Sequence, residues 1–151
     1  VSDPAQAGGP DATRRALAAL FPRVVLGLIF FQAGLYKVFV QTPVGHAKQW
    51  FLPFSDTFLP VWSLWAMGVT IPFVELIGGG LVLLGLWTTA AAAMLGGVLC
   101  IVTFGHLLHD PLYAFHEHVF PRLVLTVLVL ALPRAWDRCS LDAWRRRSRA
   151  S

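Results

Sequence analysis

Pro72-Phe73-Val74-Glu75-Leu76-Ile77-Gly78-Gly79-Gly80-Leu81-Val82-Leu83-Leu84-Gly85-Leu86 is an apolar run that carries a single carboxylate and a cluster of glycines. An ionisable residue inside such a run is costly unless it faces the interior of a helix bundle. On a helix, Gly78 and Gly79 lie three and four residues beyond Glu75 and share its face. Glycines there allow another helix to approach closely. The stretch therefore reads as the second half of a membrane-crossing helix, about Val61 to Trp87, kinked near Pro72, with its Glu75 face buried against a neighbour.

The same pattern extends in both directions. A first span runs from about Pro22 to Val40, with Pro22 suited to the helix start, where a missing N–H is harmless. Arg23, Gly27, Phe30, Gly34 and Lys37 fall on one of its faces. The segment from Gln41 to Leu59 holds Pro43 and Pro53 among Trp50, Phe51 and Phe54, and reads as a loop with a short interfacial piece. After a tight turn at Thr88-Thr89, a third span covers 90–108, with Leu99, Thr103, His106 and Asp110 on one face. A polar loop, His109 to His118, leads to a fourth span at 119–135.

Composition agrees. Of the 151 residues, 56% are hydrophobic and 13% charged, about half the charged fraction of an average soluble domain. Four spans of about 20 residues leave no room for a sizeable soluble domain. The basic residues cluster at the ends. Arg14, Arg15 and Arg23 stand at the front, and Arg134, Arg138, Arg145, Arg146, Arg147 and Arg149 at the back. The positive-inside rule then places both termini in the cytoplasm. The expected fold is an all-α, four-transmembrane-helix, up-down-up-down bundle in a bacterial inner membrane. Residues 1–15 form a disordered cytoplasmic N-terminus, 16–135 the membrane domain and 136–151 a basic tail. The first apolar run is too long for a signal peptide. The tail is short and carries no base-reading pattern, so nucleic acid is not an expected partner. The expected partners are the lipid bilayer and either other membrane proteins or further copies of the chain.

Cys100 and Cys139 are far apart and form no CxxC pair, which speaks against a disulfide-shuttling enzyme. No dinucleotide fingerprint or P-loop is present. His106 is the one histidine within a span, too few for a di-haem four-helix cytochrome. The polar residues left to do chemistry are Gln32, Lys37, Glu75, His106, His109 and Arg122, which are candidates for a quinone or lipid headgroup. Gln32 is the nearest hydrogen-bond candidate for Glu75; Arg23 and Lys37 would have to reach along the bilayer. Arg23, Glu75, Gly78 and Gly79 also have a structural reading, as residues that tie helices together. His109, Asp110, His116 and His118 are the candidates for a metal, but they match no strict ligand spacing, and a metal is not expected.

Three stretches together resemble the DoxX family of small four-helix membrane proteins. One is the opening Arg23-Val24-Val25-Leu26-Gly27-Leu28-Ile29-Phe30-Phe31-Gln32-Ala33-Gly34-Leu35-Tyr36-Lys37. The second is the glutamate and glycine-rich run from Pro72 to Leu86. The third is the closing Ser140-Leu141-Asp142. The family's glycines before the closing motif are replaced here by Leu132-Pro133-Arg134-Ala135-Trp136. The resemblance implies a four-helix membrane fold. DoxD-type relatives belong to thiosulfate:quinone oxidoreductases, and other members associate with membrane redox complexes. The resulting expectation is an accessory, non-catalytic subunit of a membrane redox complex, packing against partner helices and touching quinone or lipid. The alternatives are a quinone-linked oxidoreductase subunit of the thiosulfate:quinone type and a small carrier or channel.

Overall fold

The computed structural model describes residues 10–110 and 119–150, together with all side chains in those ranges except those of 109, 149 and 150. Every regular element among the described residues is helical. These are α1 (Pro10–Leu35) continued by a π turn (Tyr36–Val40), α2 (Pro43–Trp50), a 3-10 turn (Leu52–Asp56), α3 (Val61–Leu84), α4 (Thr88–His109), α5 (Phe120–Ala131) and α6 (Leu141–Ala150). Three stretches are long and apolar enough to cross a membrane: Pro10–Val40, Val61–Leu84 and Thr88–Leu108. At about 1.5 Å per residue, the 12 residues of α5 reach about 18 Å, well short of a hydrocarbon core of about 30 Å.

The boundaries differ from the sequence reading in three places. α1 begins at Pro10 and carries Pro22 in its interior, so residues 10–15 are helical and Pro22 does not mark a helix start. The turn between α3 and α4 is made by Gly85, Leu86 and Trp87, and α4 starts at Thr88. The expected fourth span at 119–135 is helical only to Ala131; Leu132 is extended and Pro133 follows, where the ring removes a donor and fixes the backbone.

Glycine sets the closeness of α1 and α3. A Cβ on Gly27 would strike the backbone of Leu83, one on Gly34 that of Leu76, and one on Gly79 that of Phe31. Rising numbers on α1 meet falling numbers on α3, so the two run antiparallel in backbone-to-backbone contact. Between lipid tails no hydrophobic force drives helices together, and such close packing supplies the attraction. Leu26, Phe30, Val82, Ala92, Leu95 and Leu99 form the buried core, shared by α1, α3 and α4, and Leu125 and Val129 of α5 pack against it.

One end of the molecule is tied by polar groups. Gly85 adopts φ +69° and closes α3 with two hydrogen bonds, Leu86 N–H to Leu81 C=O at 2.9 Å and Gly85 N–H to Val82 C=O at 3.0 Å. That left-handed closure is open to glycine without cost. The Arg23 guanidinium is buried there. Its Nη1 donates to the carbonyls of Val82 (3.1 Å) and Leu83 (2.6 Å), and its Nη2 to that of Cys139 (3.0 Å). Its Nε lies 3.1 Å from Asp137 Oδ2. A cation at the end of α3 thus meets carbonyls of the helix's last turn, where the helix dipole is negative. The Ser140-Leu141-Asp142 stretch completes the end. Ser140 Oγ accepts from Ala143 N–H at 3.2 Å and starts α6. The Asp142 carboxylate accepts from Trp87 N–H (3.1 Å) and Thr88 N–H (3.2 Å), capping the start of α4 with a negative charge.

Candidate functional site

The opposite half of the molecule holds a recess of about 1090 Å³. Gln32, Lys37, Glu75, His106 and Arg122, five of the headgroup candidates read from the sequence, all line it, together with His46. The remaining wall is mainly apolar and aromatic, with Trp50, Phe51, Phe54, Leu64, Ile71 and Leu99 among its members. Tyr36 and Phe104 belong to the lining and are exposed, so the rim reaches the molecular surface. Pockets of this size, apolar with a few converging polar groups, suit a small amphipathic ligand.

Its charged centre is an ion pair. Lys37 Nζ donates to Glu75 Oε2 at 2.6 Å; the Glu75 side chain is 3% exposed and that of Lys37 22%. Lys37, rather than the exposed Gln32, is the partner that meets Glu75. Lys37 lies in the π turn, in which Gln41 N–H donates to Tyr36 C=O at 2.9 Å. A π turn inserts a residue into the helical register and re-aims the side chains around it, and such turns are frequent at functional sites. Breaking a buried pair of this kind by removing one partner typically costs about 3 kcal/mol or more.

His46 is not among the candidates read from the sequence. It sits on α2, is buried, and donates from Nδ1 to the carbonyl of Gly68 at 2.7 Å. Pro72, four residues on, has no N–H, so the Gly68 carbonyl lacks its normal helical donor. His46 supplies it. A Cβ on Gly68 would strike Ala47, so glycine at 68 lets α2 come near enough. Burial lowers the pKa of His46 below its ordinary 6.5, and the Lys37 charge adds to the effect; the Gly68 hydrogen bond and the Glu75 charge oppose it. The neutral ring then leaves Nε2 as an acceptor. The spacing of a glycine four residues before a mid-helix proline was the available signal, but nothing in the sequence pairs it with a histidine twenty-two residues upstream.

Arg122 stands over the ring of Phe30 with its guanidinium carbon 5.8 Å from the centroid, a cation–π distance. His106 lies on the last turns of α4. The metal candidates do not assemble within the described residues. Asp110 is exposed at the end of α4, the side chain of His109 lies outside the described residues, and so do His116 and His118. Among the described residues no group of three His, Cys, Asp or Glu is placed to hold a metal ion. The structural candidates Arg23, Gly78 and Gly79 are all buried. Gly78 faces Leu95 and Met94 of α4, while Gly79 faces α1.

Residues 18–109 match the DoxX family. The chain belongs to the DoxX family. With its apolar helices this makes it a multi-pass membrane protein. No curated protein and no solved structure matches it. The matched residues carry α1 to α4 of this DoxX protein, and with them Lys37, His46, Glu75 and His106 of the recess. Arg122, Asp137 and Asp142 lie beyond the match.

Proposed function

We propose that this DoxX protein is an accessory subunit of a membrane redox complex whose recess holds the headgroup of a quinone. In this reading α1, α3, α4 and α5 cross a bacterial inner membrane in alternating directions with both termini in the cytoplasm, and α5 completes its crossing through the 132–135 stretch. The observation that carries the reading is the convergence of Gln32, Lys37, Glu75, His46, His106 and Arg122 on one recess with mainly apolar walls. A quinone presents carbonyl oxygens at one end and an apolar tail at the other. Lys37 and Arg122 line the recess and carry N–H groups that can donate to such oxygens, and the aromatic wall suits the ring and tail. Glu75 holds Lys37 in place at 2.6 Å. The chain would bind and orient the quinone; the electrons would come from a partner subunit.

Isolation from native membranes in mild detergent, with mass spectrometry of co-purifying proteins and of extracted quinones, tests this. Stoichiometric redox subunits and about one quinone per chain are expected, with the quinone lost in Arg122→Ala. A lone chain free of quinone would overturn the proposal. A lone chain that retains quinone and reduces it with a soluble donor would make the protein itself the quinone-linked oxidoreductase.

A further inference from the structure

We infer that α6 and the turn before it form an interfacial binding surface for anionic phospholipid, independent of what occupies the recess. α6 (Leu141–Ala150) is docked on one side and free on the other. Asp142 caps α4, and Ala143 is buried. At 100° per residue the docked side of the helix carries Asp142, Ala143 and Arg146. The opposite side carries Leu141 and Trp144, 41% and 64% exposed. An exposed tryptophan beside a leucine on a helix flanked by arginines is the pattern of a helix lying in the headgroup layer.

The charge distribution fits an anionic surface. Arg134, Arg138, Arg145, Arg146 and Arg147 are all exposed, and Arg14 and Arg15 are exposed on the first turns of α1. Arg15 lies 5.7 Å over the ring of Trp136, which brings the two groups of arginines to the same end of the molecule. The acids present are largely engaged. Asp137 pairs with Arg23, Asp142 caps α4 and lies 3.9 Å from Arg134, and Asp11 lies 4.0 Å from Arg14. Arg138, Arg146 and Arg147 line a groove between α6 and the preceding turn. Arg147 uses Nη2 to reach the Arg138 carbonyl at 2.8 Å, which fixes the guanidinium at the groove wall and leaves further N–H groups for phosphate oxygens.

The test is hydrogen exchange of the full chain in nanodiscs of phosphatidylcholine alone and of phosphatidylcholine mixed with anionic phosphatidylglycerol. The α6 amides are expected to exchange about tenfold more slowly with the anionic lipid, and the protection to disappear at about 1 M salt, where screening is strong. The Arg145→Gln/Arg146→Gln/Arg147→Gln variant should lose the difference while α3 and α4 stay protected, and Trp144→Ser should reduce it. Equal α6 exchange in the two lipids would overturn the inference. So would the same protection from inorganic phosphate added to phosphatidylcholine discs, which would make the groove a site for a soluble phosphate. Loss of protection throughout α3 and α4 in the arginine variant would mean unfolding, and the Trp144→Ser variant then decides: unchanged lipid dependence there refutes the surface.

Discussion

Pro72 and His46 illustrate how one residue creates a need and another meets it. The proline strips the Gly68 carbonyl of its helical donor, and the His46 Nδ1–H at 2.7 Å replaces that donor from another helix. Because burial holds the folded-state pKa of His46 below 6.5, the unfolded chain takes up a proton first as the pH falls. The contribution of His46 to stability is therefore complete above pH 6.5 and is lost as the pH drops below it. Thermal unfolding in detergent at a series of pH values should show wild type losing stability below that point more steeply than His46→Gln. Parallel curves for the two proteins would show that the ring does not sense its burial. At this scale the sequence was partly legible. Glu75 sits in an apolar run with glycines on its face, and that alone marks it as buried. The choice of partner was less legible: Gln32 is nearer in the sequence reading, and no pattern announces the π turn at Tyr36–Val40 in which Lys37 lies. The Arg23–Asp137 pair was equally hidden, since the two residues meet only after the whole membrane domain has folded.

Among the elements, α1 and α3 are set by glycines and α4 is not. A Cβ added at Gly79 would strike the backbone of α1, so a methyl group there must push the helices apart. Gly97 has nothing within 4 Å of the same position. Gly79→Ala should therefore lower stability by about 1–3 kcal/mol, the usual cost of overpacking, and Gly97→Ala should leave it within about 0.5 kcal/mol. Thermal melts of the two variants measured side by side check this; equal melts would mean that α1 and α3 are less tightly apposed than described. Long helices were the most legible elements, because an apolar run containing one charge has few other solutions. The ends were less legible. Pro22 looks like a helix start, yet it lies within α1, where the mid-helix loss of one donor is tolerated. The 12-residue α5 was expected to run on to 135, and Pro133 explains why it does not.

The whole molecule divides into two halves with different chemistry. One end is a structural knot, in which Arg23, Asp137, Ser140, Asp142 and Gly85 bind the middle of α1 to the end of α3, the start of α4 and the start of α6. The other half is a recess with polar groups on apolar walls. The closing Ser140-Leu141-Asp142 stretch lies in the knot, away from the recess, and caps α4 and α6 there. If both termini face the cytoplasm, Cys139, which is exposed, should react with a membrane-impermeant thiol reagent in inverted vesicles and stay unlabelled in right-side-out vesicles or intact spheroplasts. The opposite labelling would invert the topology. The claim on which the functional account depends is that the recess takes a quinone headgroup. A titration of the purified protein in detergent with a short-tailed quinone, followed by calorimetry, tests it most directly. The account predicts saturable binding near one per chain, abolished when Ala33→Trp fills the recess. Arg122→Gln should weaken it about tenfold, the loss of one charge-assisted hydrogen bond, and Gly97→Ala should leave it unchanged. Binding of equal strength in a folded Ala33→Trp protein, or no saturable binding by the wild type, would contradict it.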